Sequence, residues 1–221
     1  MRLIAENHDH ESPALRRFRA AGTGDLYATE LDLSVSDDPA RWGEAIGDSP
    51  RIILRCASFA AIDTPGDSPG DLSGDQAAAW LESWSESGWA AFSQRVARAR
   101  QAADDRGVEL LIRPGAGGML SDGVCTLSWF ARSAGAAPRL MLDPVGWITP
   151  SMVRDLDDHL LRIAERSHQL IDAGAVECVL LRSAGAVTGP GSSLDPRPLH
   201  DQAGADRLDP GLILRRLAPL T

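Results

Sequence analysis

Acids and arginines recur at the ends of short apolar runs in this chain, and they are the residues best equipped for chemistry. Glu6 closes the run RLIAE, with His8 and His10 just behind it, and Asp32 closes LYATELD. Carboxylate and imidazole together are the donor set of a divalent ion such as Mn, Mg, Co or Zn. Glu6, His8 and Asp32 are therefore the candidate metal ligands. The opposing reading is a frayed amino terminus carrying a chance polar cluster, since chain ends are poorly ordered by default.

Arg55, Arg113 and Arg182 each close another apolar run, and Asp143 closes a further one. Where such runs are neighbouring strands, the guanidinium groups meet at one mouth. A buried arginine needs partners. Asp143, Glu30 or Asp32 can supply them as a structural ion-pair network. Alternatively, a phosphate or carboxylate ligand does so, because the planar fork fits both. The three arginines are on that second reading the candidate substrate-binding residues, and the partner is a small anionic or sugar-like molecule.

Other chemistries are narrowed by composition. The chain of 221 residues has no lysine, and all 22 basic residues are arginine. Schiff-base catalysis and the phosphate-loop lysine both need an amine and are excluded. Cys56, Cys125 and Cys178 are far apart, with no zinc-like spacing. Their odd number and the lack of a leader-like segment point to a reducing, cytoplasmic setting. A net charge of -9 argues against a nucleic-acid partner held by non-specific electrostatics. No apolar run approaches the roughly 18 residues of a membrane helix. Oligomeric state is not legible.

The elements that must position these residues follow from the pattern. Apolar runs at 2–6, 26–33, 51–56, 108–113, 139–143 and 176–182 are near-continuous, as in parallel strands covered on both faces. Between them lie helix signals. Ser12-Pro13, Asp38-Pro39, Thr149-Pro150 and Asp209-Pro210 each pair a capping oxygen with a proline suited to a first turn. Gly22, Gly47, Gly107 and Gly174 suit the residue that ends a helix. A helix is expected over 75–106, breaking near Gly88, with Trp80, Trp84 and Trp89 near one stripe. Another is expected over 150–173, with Val153, Leu156, Leu160, Ile163 and Leu170 along one side. His159 and His168 on that helix read as surface or packing residues. Two long loops, 60–74 and 184–207, are rich in Gly, Pro, Ser and Asp, and each follows a strand's carboxyl end.

Strand–helix alternation implies right-handed βαβ units and a parallel sheet. The expected fold is one α/β domain over 1–221, a TIM-like barrel with outer helices. Six strands are counted against the eight of a full barrel, so it is short. An open doubly wound sheet is the alternative, although no Gly-rich phosphate loop follows any strand. The two halves read alike, as strand, helix, strand, helix, strand. That fits a duplicated half-barrel, and equally the general sameness of βα units.

Residues 108–182 resemble the later strands of the xylose-isomerase-like barrel superfamily, in the order strand, helix, strand ending in Asp-Pro, long helix, strand. The tail LDPGLILRRLAPL resembles that family's last helix, and LIAENH resembles its Glu-bearing strand end. The resemblance covers the larger part of the chain, as patterns rather than signature motifs. It implies a sugar or sugar-phosphate isomerase or epimerase, with an ion polarising a sugar carbonyl while acids move a proton. Glu6, Asp32 and Asp143 are then the candidate catalytic acids. The sequence departs from the pattern in its second half. Arg113 stands at a ligand glutamate, Gly146 and Leu180 stand at ligand histidines, and only Asp143 matches. The other reading is thus a non-catalytic barrel that binds an anionic metabolite or a protein partner. His8-x-His10 is also similar to the paired histidines of amidohydrolase barrels, without further strand histidines to complete such a site.

Overall fold

The computed structural model describes residues 2–6, 15–20, 26–32, 48–55, 84–116, 118–133, 135–148, 152 and 155–181. Seven strands occur among them: β1 (Arg2–Glu6), β2 (Leu15–Ala20), β3 (Leu26–Asp32), β4 (Arg51–Arg55), β5 (Glu109–Arg113), β6 (Arg139–Leu142) and β7 (Val176–Leu181). They pair in chain order, and β1 pairs in parallel with β7, so the sheet closes into a barrel. β3 through β7 are mutually parallel, and only β2 runs antiparallel to its neighbours.

All six expected strands are present, and β2 is the departure. The Ser12-Pro13 signal predicts a helix there, whereas residues 15–20 form a strand hydrogen-bonded on both sides. A helix at this place would leave the edges of β1 and β3 without ladder partners. Satisfying those backbone groups outweighs the local start signal, which is only a weak prior. The other three Pro-based starts, the 60–74 and 184–207 loops, Gly22 and Gly47 fall outside the described residues.

Among the described residues three α-helices pack against the ring. In α1 (Glu86–Asp104) the Ser85 hydroxyl accepts the Gly88 N–H at 3.2 Å, and residues 75–83 of the expected helix, Trp80 among them, fall outside the described residues. Phe92, Val96, Ala99 and Ala103 form its buried stripe, three or four residues apart. α2 (Gly123–Arg132) is capped by Asp122, which accepts the Cys125 N–H at 2.8 Å. α3 (Leu156–Asp172) buries Leu156, Leu160, Ala164, Ser167 and Leu170, with Ile163 half-buried. His159 and His168 are half-buried on it. Gly107 and Gly174 end α1 and α3 at φ of 68° and 71°, a conformation that side chains disfavour.

Two apolar clusters divide the strands by parity. Ile52, Leu54, Leu110, Ile112, Leu140, Leu142 and Val179 face outward against the helices. Ile53, Leu111, Met141, Cys178 and Leu180 face inward, with Phe18, Tyr27 and Ala28. Strands buried on both faces explain the unbroken apolar runs. Two bulges keep the parity in phase. Phe18 opposes Ala28 while Arg19 opposes Leu26, so Tyr27 is an extra residue and joins Ala28 in the inner cluster. Leu140 opposes Val176 while Met141 opposes Cys178, so Glu177 is the extra residue of β7.

Candidate functional site

The inner face changes character toward the carboxyl ends of the strands. Two residues beyond Ala28, Leu111 and Met141 come Glu30, Arg113 and Asp143. A strand repeats its face every second residue, so these three point into the barrel above the apolar layer. Arg113 donates through Nε to Asp143 Oδ2 at 3.0 Å and through Nη1 to Glu30 Oε2. All three are nearly inaccessible, at 3% for Glu30 and Arg113 and 1% for Asp143. The Arg113 guanidinium also lies 5.9 Å from the ring centre of Phe18. One cation thus joins acids from β3 and from the end of β6 across the interior. The triad sets two carboxyl groups against one guanidinium.

The second oxygen of Asp143 is also engaged: Oδ1 accepts the Gly146 N–H at 3.0 Å. Gly146 opens no gap where a histidine was expected. It belongs to a short 3₁₀ turn, Pro144–Trp147, whose backbone holds the acid in place. That turn is tied to the loop after β5. The Ala116 N–H donates to the Gly146 carbonyl at 2.7 Å, and Trp147 Nε1 donates to the Leu120 carbonyl at 3.2 Å. Leu180, at the other histidine position, is 1% exposed in the inner cluster.

The expected pairing of Arg113 with Asp143 is present, and Glu30 is the second acid. Arg55 is level with Arg113 on the neighbouring strand, and Asp32 is level with Arg55 on the next. The structure therefore brings Asp32, Arg55, Arg113 and Asp143 to one end. His8 and Arg182 lie outside the described residues, as do the side chains of Glu6 and Asp32. The backbone register still constrains the proposed metal set. Glu6 is level with Phe18 and so with Ala28, four residues before Asp32. At about 3.3 Å per residue, that is an offset of about 13 Å along the strand. Among the described residues no group of three His, Cys, Asp or Glu side chains is placed to hold an ion. No described helix is long and apolar enough to cross a membrane.

Glu30 was weighed in the sequence only as an ion-pair partner, because Asp32 ends the same strand. The signal for it is parity: Glu30 shares a face with the buried Ala28, so its charge has to be met inside.

Among the described residues the amino end of the barrel carries no comparable buried centre. Arg51 Nε meets Glu109 Oε2 at 2.6 Å, and Arg139 pairs with Glu177. The Arg51 guanidinium lies 4.5 Å over the Tyr27 ring. Burial pushes the neighbouring Cys178 thiol up to about 11 and raises the Tyr27 hydroxyl further above its ordinary value. Burial, with the charge of Asp122 beside it, also pushes Cys125 up to about 11. Both thiols are protonated at neutral pH, so neither is a ready nucleophile.

No family model matches the chain and no curated protein matches it.

Proposed function

We propose that the protein is a short TIM-like barrel whose carboxyl-end mouth takes a sugar or sugar phosphate and moves a proton beside its carbonyl. The observation that carries this reading is the Glu30–Arg113–Asp143 triad, buried at the end of the ring where barrel active sites are built. The other acids at strand ends, Glu6 and Asp32, suit a polyhydroxylated ligand, since a carboxylate oxygen accepts hydroxyl protons. In this proposal Asp143 and Glu30 hold Arg113 in place, and Arg55 and Asp32, level with it in register on the next two strands, bind the ligand. Arg182 and Glu6 join them as the resemblance implies. A divalent ion (Mn, Mg, Co or Zn) at Glu6, His8 and Asp32 would polarise the carbonyl, and those ligands would have to bridge the strand offset described above.

The second reading is a non-catalytic barrel that binds an anionic metabolite or protein partner. It is favoured by the engagement of both Asp143 oxygens and by Leu180 and Gly146 at ligand positions. Solvent exchange separates the two. The protein is incubated in D2O with aldoses, ketoses and their phosphates, each divalent ion being added in turn, and NMR reads deuterium at the carbon beside the carbonyl. Wash-in that Asp32→Asn abolishes supports proton transfer. Saturable binding of a sugar phosphate with no wash-in on any sugar establishes the second reading.

A further inference from the structure

The outer helical layer holds a groove unrelated to the triad. It has a volume of about 290 Å³ and lies between α1 and the end of α2, walled by Trp89, Val96, Trp129 and Ala137. Trp84, Trp89, Phe92 and Trp129 form a run of edge-to-face contacts with centroids 6.2, 6.1 and 5.4 Å apart. Such contacts fix ring planes beyond what area burial does.

The polar groups of the groove have one sign. Among the described residues Arg132 is the only charged one in the lining, and no described acid lines it, in a chain of net charge -9. The Arg132 guanidinium is held 5.8 Å from the Trp89 ring centre. Ser93 Oγ accepts Trp129 Nε1 at 3.4 Å, which leaves the serine proton to point elsewhere. Flat aromatic walls, one cation and one hydroxyl donor are the ingredients of a small apolar site with a fixed polar end.

We propose that this groove binds a planar aromatic carboxylate of one or two rings. The rings lie against Trp89 and Trp129, and the carboxylate accepts from Arg132 and the Ser93 hydroxyl. The planar fork of arginine matches a carboxylate in a way that a neutral amide cannot reproduce. The site is independent of the mouth and of what the mouth does.

The test uses the whole protein with 1-naphthoate as probe and 1-naphthamide as its neutral counterpart, read by the indole N–H signals of Trp89 and Trp129. We expect saturable shifts with 1-naphthoate and about tenfold weaker binding of the amide. Arg132→Gln should weaken 1-naphthoate about tenfold and leave the amide unchanged, the size expected of a charge-assisted pair. Ala97→Phe, at an exposed lining position, should fill the groove and abolish both. Shifts that never saturate, equal binding of the two probes, or indifference to Arg132→Gln each overturn the proposal.

Discussion

The two ends of the barrel use the same chemistry, arginine against carboxylate across strands, and differ in access to water. At the amino end Arg51 and Glu109 keep 20% and 39% of their side-chain surface, and Arg139 keeps 51%. At the carboxyl end Glu30, Arg113 and Asp143 keep 4% or less. Exposed pairs are screened and contribute little, about 0–1 kcal/mol. Buried pairs cost desolvation to form, and breaking one strands a charge that water cannot reach. The lesson is that the number of ion pairs at an end says nothing of its weight, and that the carboxyl end holds the charges this fold cannot lose singly.

The largest test of that difference is Arg113→Met. It leaves two buried acids facing each other, and we expect a loss of about 3–5 kcal/mol in urea unfolding. Asp143→Ala should cost a similar amount, and the double variant less than the sum, because the stranded cation goes too. Additive losses would break the idea of a coupled triad.

A smaller effect separates the structural role of the triad from anion binding. If the arginines of the mouth take a phosphate, the melting temperature in phosphate should exceed that in chloride at equal ionic strength. The gain corresponds to about 2.7 kcal/mol at a hundred times the dissociation constant. Equal melts assign Arg113 to structure alone. At the amino end Glu109→Gln should cost under about 1 kcal/mol, and the loss should shrink in high salt. A loss as large as that of Arg113→Met would remove the contrast between the ends.

The smallest effect concerns the Cys178 thiol. Its folded value is raised to about 11 from an ordinary 9, so its contribution is complete below pH 9 and is lost as pH climbs through 11. Between those limits, Cys178→Ala should flatten the fall of stability with pH. An unchanged slope would assign the alkaline loss to other groups, with Tyr27 the nearest.

Much of the frame was legible because burial on both faces writes a strand as an unbroken apolar run, and all six such runs are strands. β2 was not, because LRRFRA carries only Leu15, Phe18 and Ala20 as apolar residues, and its strand state is imposed by neighbours distant in sequence. At the site, Arg113 and Asp143 were readable as strand-end charges. Glu30 was less so, since a single sequence does not show which of two same-face acids, Glu30 or Asp32, meets the cation. The two bulges were invisible, and they decide that Tyr27 and Cys178 turn inward.

The closure of the barrel bears on how the chain reaches its folded state. β1, β2 and β3 are joined as consecutive antiparallel neighbours, whereas the β1–β7 ladder joins Ile4 to Leu180. Contacts so far apart in sequence carry the largest loop-closure entropy in the molecule, and such contacts slow folding. The seam should therefore zip late, after the β3–β7 arc has formed. Val179, paired with Leu3 on one side and Leu142 on the other, reports on it directly. We expect Val179→Ala to speed unfolding while leaving the refolding rate nearly unchanged in stopped-flow measurements, and slowed refolding would instead place the seam in the nucleus.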